Sequence, residues 1–189
     1  MSFARKIYLI LIDLVETIVI AGAIFVVIYA FLFRPFQVNG ESMFPNYKNG
    51  EYILTNLIAL RLSPLKRGEV IVFRAPINQE KDFIKRVIGI PGDKVALKDG
   101  YVYVNDNKLD ESYLPSDFRT YGGAFLAEGA SVTVPADNYF VLGDNRNFSS
   151  DSREWGLVSK DKVIGKSFIV YWPPQDLKLV QHATYQNLK

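Results

Sequence analysis

The residue types that could carry out chemistry are few in this chain, and one serine and one lysine stand out. Ser42 lies in the stretch Gly40-Glu41-Ser42-Met43-Phe44-Pro45, which is too irregular to continue a helix. A serine hydroxyl is a weak nucleophile unless a base lies beside it. The chain has no cysteine and one histidine, His182, close to its C-terminus. A lysine is therefore the alternative base for Ser42.

Lys85 is the candidate base because it lies in an apolar run, residues 83–90, that is typical of a strand. A lysine has an ordinary pKa of about 10.4, so at neutral pH nearly all of it is the ammonium, which cannot accept a proton. Burial among neighbours such as Ile84 and Val87 would disfavour the ammonium and lower the pKa. The other interpretation is an exposed strand lysine beside a solvated Arg86, since strands commonly place lysine outward.

A third stretch, residues 143–153, is dense in polar side chains and follows a predicted strand. Its charged residues could form charge-assisted pairs that hold a loop rigid. They are Asp144, Arg146, Asp151 and Arg153. Two plainer interpretations are a surface loop with weak ion pairs and a calcium loop built on the aspartates. The interleaved arginines argue against a calcium ion.

The composition bounds the class of protein. With 189 residues, of which 49% are hydrophobic, the chain can bury one core and still supply a membrane segment. A net charge of +2, from residues mixed in sign, is too small to favour nucleic acid as a partner. The absence of cysteine excludes disulfides and thiolate metal sites. One histidine without clustered carboxylates argues against zinc, so we expect no metal and no cofactor.

A long apolar segment lies near the N-terminus. From Thr17 to Phe33 the chain carries no charge, and Glu16 is the one interruption when the segment is extended back to residue 14. About 20 apolar residues are needed to cross a bilayer. The sequence therefore predicts a transmembrane helix at residues 14–33, behind a short cytoplasmic segment of residues 1–13.

Two other interpretations of this segment are weaker. Ala21-Gly22-Ala23 matches the small-x-small pattern of a cleaved signal peptide, but Asp13 and Glu16 interrupt the apolar region before it. A buried core helix would need a polar face, and none is present between Ile18 and Phe33.

The charges that flank the segment predict its orientation. Arg5 and Lys6 lie before it and Arg34 lies after it. Because positive residues favour the cytoplasmic side, the N-terminus is expected in the cytoplasm. Residues 34–189 would then lie on the extracytoplasmic side of the cytoplasmic (inner) membrane, held by a single pass.

The rest of the chain, residues 34–189, is expected to be mainly β. Short runs of branched and aromatic residues predict strands at residues 51–55, 69–74, 83–90, 94–98, 101–104, 131–134, 139–142 and 163–172. Asp99-Gly100 predicts a tight hairpin. The polar residues, about 110–130, are expected to form a surface excursion. Many short strands with frequent turns indicate a compact β-sandwich or barrel-like domain.

Three motifs follow the apolar segment, in the order Ser42-Met43-x-Pro45, Lys85-Arg86-x-x-Gly89-x-Pro91-Gly92-Asp93 and Gly143-Asp144-Asn145-Arg146-x-x-Ser149-x-Asp151-Ser152-Arg153. This set resembles that of bacterial type I signal peptidases, and the likeness covers essentially the whole chain. The resemblance favours a catalytic Lys85. It implies a membrane-bound serine endopeptidase that uses a Ser/Lys dyad to remove signal peptides from exported preproteins after small-x-small sites. The implied partners are these preproteins and membrane lipid, with no nucleic acid.

The resemblance also implies roles for single residues. Ser42 would attack the scissile carbonyl and form an acyl-enzyme, with Lys85 as general base and then acid. Ser149 would orient the Lys85 amine, and the Ser42 N–H would stabilise the oxyanion. Some family members have a serine two positions before the nucleophile, where this chain has Gly40. The four charged residues of the third motif would support the site, with its last aspartate and arginine paired.

Specificity is expected to come from small apolar pockets. The residues that match the family's pocket positions are Val38, Met43, Tyr47, Phe83 and Ile84. Residues 82–84 would pair with the extended substrate as an added strand. The chain departs from the family pattern at three positions. Asn46 replaces a threonine, Tyr47 replaces an aliphatic residue, and Phe148 stands where asparagine is frequent.

Two alternative functions differ from this expectation. A self-cleaving, repressor-like Ser/Lys protease has a related β architecture, but it needs a DNA-binding domain where this chain has an apolar helix. A catalytically silent, membrane-anchored homologue would act as a binding or scaffold module. The presence of both Ser42 and Lys85 favours the active enzyme.

Overall fold

A long apolar helix opens the computed structural model, which describes residues 3–185. The helix, α1 (Phe3–Val27), continues into a short π-helix (Ile28–Leu32). Its stretch Arg5–Val27 is exposed and is long and apolar enough to cross a membrane. The predicted membrane segment, residues 14–33, lies in this helix except for its last residue, which begins the first strand.

Short strands make up much of the remaining described chain. In chain order they are β1 (Phe33–Gln37), β2 (Tyr52–Asn56), β3 (Val70–Ala75), β4 (Asn78–Gly89), β5 (Lys94–Lys98), β6 (Tyr101–Val104), β7 (Asn107–Lys108), β8 (Ser131–Thr133), β9 (Asn138–Leu142), β10 (Val158–Ser159), β11 (Val163–Trp172) and β12 (Lys178–Leu179). Two single-turn helices accompany them, α2 (Ala59–Leu62) and α3 (Ser152–Trp155). Short 3-10 turns lie at Lys160–Lys162 and Pro174–Asp176.

The strands form two antiparallel sheets. The larger sheet has eight strands in the order β1-β2-β11-β3-β4-β9-β10, with β12 paired to β11. The smaller sheet has four strands in the order β7-β6-β5-β8. One apolar helix followed by these sheets confirms the mainly β class that the sequence predicts.

Alternating burial explains why these segments are strands. In β5, Val95 and Leu97 are buried, whereas the residues at both ends of the strand are exposed. Val102 and Val104 of β6 are buried in the same way. These four side chains join one apolar core with Phe140 of β9. Removing this apolar surface from water is the main favourable term that packs the small sheet against the large one.

The predicted Asp99-Gly100 hairpin is confirmed. It joins β5 to β6, and its two residues have φ values of 53° and 78°. A turn with two positive φ values has the twist that paired strands require, and aspartate followed by glycine tolerates it best.

One strand that the sequence does not predict, β1, bears directly on the site. It contains Pro35 and lies at the edge of the large sheet, paired with β2. Because proline lacks an N–H group, it is tolerated in edge strands. The strand follows the π-helix without a connecting loop and leads into the turn that carries Ser42.

Candidate active site

Two elements bring the predicted nucleophile and base together. Ser42 lies in the turn after β1, where Gly40 has a φ of 90° and donates its N–H to Asn49 Oδ1 at 2.8 Å. Such a φ favours glycine. Lys85 lies in β4, opposite Ile71 of β3. Its Nζ donates to Ser42 Oγ at 2.7 Å, so residues far apart in the chain form one hydroxyl–amine pair.

Lys85 is buried, and this decides between its two interpretations. The residue is 3% exposed, and its Nζ lies 5.3 Å from the ring centre of Phe83. Burial lowers the pKa of Lys85 to about 8, although the carboxylates of Asp151 and Asp144 oppose this change. The interpretation of Lys85 as a solvent-exposed strand lysine is therefore wrong. At pH 8 about half of the side chain would be the neutral amine that a base must be.

Arg86, the next residue of β4, is also buried and holds Asp144. Its Nε and Nη2 donate to the two carboxylate oxygens at 2.8 and 2.7 Å. Its Nη1 donates to the carbonyls of Gly68 and Gln181, both at 2.9 Å. Asn46 Nδ2 donates to the same carboxylate at 2.8 Å. The solvated Arg86 of the sequence interpretation is therefore wrong, and Asn46 has a structural role beside Asp144.

Asp151 and Arg153 form the pair expected within residues 143–153. Arg153 Nε donates to Asp151 Oδ1 at 2.8 Å, and its Nη2 donates to Oδ2 at 2.9 Å. Asp151 also accepts from the N–H of Gly143 at 3.1 Å. Both charged side chains are buried, so this bidentate pair fixes the loop. The arginine occupies the oxygens that a calcium ion would need.

Arg146 forms an ion pair with Glu111, which lies outside this loop and which sequence analysis does not single out. Its Nη1 donates to Glu111 Oε2 at 2.9 Å, and its Nη2 donates to Glu111 Oε1. Its Nε donates to the carbonyl of Gly143 at 3.1 Å. Glu111 belongs to the predicted excursion, about residues 110–130. No motif marks it, and a pairing across this distance in the chain leaves no local signal in the sequence.

Asn145 joins the loop of residues 143–153 to the turn that carries the nucleophile. Its backbone N–H donates to the carbonyl of Ser42 at 3.0 Å. Its Nδ2 donates to the carbonyl of Glu41 at 3.0 Å. The position of the Ser42 backbone therefore depends on the position of this loop.

The hydrogen bond expected between Ser149 and Lys85 is not formed. Ser149 Oγ is buried and has no hydrogen-bond partner among residues 3–185. It lies against Gly143, where an added side chain would overlap with both Ser149 Oγ and the carbonyl of Ser42. The Lys85 amine is engaged by Ser42 instead.

A cleft of about 730 Å³ opens beside the hydroxyl–amine pair. Its walls come from β1 and the turn that follows, from β4, and from the loop of residues 143–153. Three of the predicted pocket residues, Val38, Phe83 and Ile84, line it. Phe148 lines it as well and is 76% exposed, so this departure from the family pattern places an aromatic ring at the cleft.

Met43 and Tyr47, two of the predicted pocket residues, are not among the residues that line this cleft. Both are fully buried, in a core cluster with Val38 and Ile53 that backs the cleft. The turn folds inward after Ser42, with the N–H of Tyr47 donating to the carbonyl of Met43 at 2.9 Å. Burial raises the pKa of Tyr47 to about 12. These side chains support the pocket wall from behind.

His182 contacts β3 and not the nucleophile. Its Nδ1 accepts from the N–H of Val70 at 3.3 Å, and burial lowers its pKa. It lines a different pocket, with Arg67 and Glu69. Within the part of the chain that the structure describes, no group of three His, Asp or Glu side chains is arranged to hold a metal ion.

A serine hydroxyl bonded to a buried amine, beside an open cleft in an antiparallel sheet, is an arrangement that suits a serine hydrolase. Residues 11–172 match the family described as signal peptidase, peptidase S26. The chain belongs to this family.

Two relatives that are named signal peptidases agree with this assignment. Signal peptidase IB of Staphylococcus aureus strain Mu50 is 37% identical, over 89% of this chain and 93% of that protein. Signal peptidase I of Bacillus caldolyticus is 41% identical, over 76% of this chain and 81% of that protein. The crystal structure of a signal peptidase I from Enterococcus faecalis V583 is 30% identical, covers 55% of this chain and 97% of that chain, and has a TM-score of 0.45.

Membership in this family defines the kind of enzyme. The chain is a serine endopeptidase that removes signal peptides, and its substrates are exported preproteins. Helix α1 fits the role of its membrane anchor.

Proposed function

We propose that this chain cleaves signal peptides by a Ser/Lys dyad, with Ser42 as the nucleophile and Lys85 as the general base. The observation that carries this proposal is the 2.7 Å hydrogen bond between Lys85 Nζ and Ser42 Oγ. The bond lies beside the cleft of about 730 Å³, which has room for an extended peptide.

The reaction begins with the neutral amine of Lys85. The amine takes the proton of Ser42 as Oγ attacks the scissile carbonyl carbon, which becomes tetrahedral and carries an oxyanion. The ammonium then gives this proton to the leaving nitrogen, the C–N bond breaks, and the signal peptide stays on Ser42 as an ester. Lys85 next takes a proton from water, the hydroxide attacks the ester, and the proton returns to Ser42 Oγ as the signal peptide leaves.

Two further groups support these steps. The N–H of Ser42 is the proposed oxyanion donor, and no hydrogen bond engages it within residues 3–185. Gly40 offers no hydroxyl at the position where some family members have one. Ser149 Oγ is the proposed acceptor for the Lys85 amine once Ser42 is acylated, because it is buried near the Ser42 carbonyl and lacks a partner in the described chain.

Substrate binding is proposed at the free edge of β4. Residues 82–85 pair with β3 on one side, whereas the pairing of β4 with β9 begins at Arg86. The second edge of residues 82–84 is therefore open to an added substrate strand. Val38 and Ile84 line the cleft there. Shallow apolar pockets at these side chains would admit small residues and exclude large ones by volume, which favours small-x-small cleavage sites.

We further propose a single-pass protein of the cytoplasmic membrane, with its N-terminus inside. Arg5 and Lys6 lie on one side of the apolar segment and Arg34 on the other. An extended chain covers at most about 3.3–3.6 Å per residue, so Ser42 lies within roughly 30 Å of the end of the helix. At that distance the catalytic domain works at the lipid surface, on the extracytoplasmic side, where membrane-bound preproteins emerge.

Cleavage of a preprotein with an Ala-x-Ala site, in liposomes, tests the dyad. The full-length wild type is compared with Ser42→Ala and Lys85→Ala, and circular dichroism shows whether each variant is folded. Lys98→Ala is the matched control because it removes an exposed strand lysine. We expect both dyad variants to be inactive and the control to cleave normally. Mass spectrometry of rapidly quenched wild-type reactions should find the signal peptide as an ester on Ser42.

Other results would count against the proposal in different ways. Persistent cleavage by folded Lys85→Ala would remove this lysine from the mechanism. Failure of the folded wild type to cleave several preproteins would favour the catalytically silent binding module.

A further inference from the structure

Arg146 carries a buried positive charge that is neutralised by a carboxylate outside the loop of residues 143–153, called here the catalytic loop. Its side chain is 1% exposed. The two aspartates of residues 143–153 are already paired with other arginines. Glu111 binds both terminal nitrogens of Arg146 and is therefore its compensating charge. A buried ion that loses its partner is strongly destabilised, so this pair cannot be broken without consequence for the loop.

Tyr113 holds Glu111 in one orientation and also contacts the turn that carries Ser42. The hydroxyl of Tyr113 donates to Glu111 Oε1 at 2.9 Å. The carbonyl of Tyr113 accepts from Asn46 Nδ2 at 3.0 Å. Asn46 lies in the turn that begins with Ser42. The segment Glu111-Ser112-Tyr113 thus contacts the catalytic loop and this turn together.

The same segment contacts the strand that carries the base. The guanidinium carbon of Arg86 lies 4.2 Å from the ring centre of Tyr113, a cation–π contact. Arg86 follows Lys85 in β4 and holds Asp144 of the catalytic loop. The excursion is therefore packed against all three elements of the site.

A short series of contacts leads from Arg146 to the reacting serine. Arg146 Nε donates to the carbonyl of Gly143 at 3.1 Å. Gly143 packs so closely against the carbonyl of Ser42 and against Ser149 Oγ that no side chain would fit between them. The neighbouring N–H of Asn145 donates to the Ser42 carbonyl at 3.0 Å. A displacement of Arg146 would consequently move the backbone that holds Ser42.

We propose that Glu111 is a positioning residue of this enzyme, which neutralises Arg146 and so holds residues 143–149 against the turn that carries Ser42. Glu111 is not among the residues that line the cleft, and neither are its hydrogen-bond partners Arg146 and Tyr113. This inference rests on the proposed Ser42/Lys85 dyad. It adds a residue that lies outside all three sequence motifs.

The expected effect falls on kcat rather than on KM. A misplacement of about 1 Å costs about 10²-fold in rate, so we expect kcat of Glu111→Gln to fall by about tenfold or more. The KM should change by less than about threefold, because Glu111 is not among the residues that line the proposed substrate cleft.

The experiment uses the full chain in liposomes, with a preprotein that carries an Ala-x-Ala site. Rates are expressed per folded molecule, as measured by circular dichroism below the unfolding temperature. Asp110→Asn is the matched control, since Asp110 is the exposed neighbour of Glu111. Glu111→Asp keeps the carboxylate and should recover part of kcat. Ser42→Ala, measured in parallel, reports on the dyad itself.

Each outcome separates this inference from the proposed function. A low kcat with a nearly unchanged KM supports the positioning role, whereas a wild-type kcat per folded Glu111→Gln molecule overturns it. An active Ser42→Ala would instead overturn the dyad. If Glu111→Gln does not fold, the double variant Glu111→Met/Arg146→Met removes both charges of the pair. A wild-type kcat in that folded variant overturns the inference, and a low kcat supports it.

Discussion

Replacement of the buried lysine is expected to stabilise the fold while it abolishes catalysis. Lys85 is 3% exposed, and burial lowers its pKa from 10.5 to about 8. Below pH 8 the folded protein therefore keeps the Lys85 ammonium away from water, whereas the unfolded chain exposes it to water. At about 1.36 kcal/mol per pH unit, the fall of this pKa from 10.5 to about 8 corresponds to a destabilisation of about 3 kcal/mol.

The direction of the pKa change fixes the pH dependence of this effect. Because the folded pKa lies below the unfolded one, the destabilisation is complete below pH 8 and disappears as the pH rises toward 10.5. Lys85→Met keeps an unbranched side chain but removes the charge. It should raise the free energy of unfolding by up to about 3 kcal/mol at pH 7, and by much less at pH 10.

Urea unfolding of the full chain in detergent micelles, followed by tryptophan fluorescence at pH 7 and pH 10, measures this difference. Lys98→Met removes an exposed strand lysine and should leave the unfolding midpoint nearly unchanged at both pH values. The reasoning is refuted if Lys85→Met is less stable than the wild type at pH 7, or if it is stabilised equally at both pH values. Preprotein cleavage by the same samples should be absent in Lys85→Met and normal in Lys98→Met.

Two more predictions concern the rate. With the pKa of Lys85 at about 8, kcat should rise about tenfold between pH 7 and pH 9 and then level off; a flat profile over this interval in single-turnover assays would contradict a lysine base. Gly143→Ala adds a methyl group that overlaps with Ser149 Oγ and the carbonyl of Ser42, so the backbone must move and kcat should fall by about tenfold or more. Gly22→Ala is its control, because a methyl group there meets no atom within 4 Å. Equal activities of these two alanine variants would show that close packing at Gly143 is not needed.

Local patterns were sufficient to predict most of the strands. The predicted bounds of β5, β6 and β11 are the observed ones, because branched and aromatic residues and turn-forming Asp-Gly pairs act over a few neighbouring residues. The edge strand β1 was missed for the same reason. Its short sequence, with Pro35 inside it, shows no alternation of apolar and polar residues. Its pairing with β2 is a property of the assembled sheet.

Several contacts of the candidate site could not be predicted from local sequence patterns. From its neighbours alone, Lys85 fits an exposed and a buried position equally well, and the resemblance of the motifs was needed to favour burial. The partner of Arg146 could not be predicted, since Glu111 lies far from it in the chain and inside an irregular excursion. The exposure of Tyr47 depends on which way the turn after Ser42 folds, and no residue in that turn indicates the direction.

The helix continues directly into β1, and this affects which peptide bonds of a substrate can reach Ser42. The carbonyl of Leu32, the last residue of the π-helix, accepts from the N–H of Leu57 beside the sheet at 2.9 Å. The strand that follows at once supplies one wall of the cleft. No loop separates the helix from β1. If the helix anchors the chain as proposed, the enzyme itself sets the height above the lipid at which a bond is cut. We therefore expect cleavage of a preprotein to depend on how far its own apolar segment places the cleavage site from the lipid, as well as on the side chains at that site.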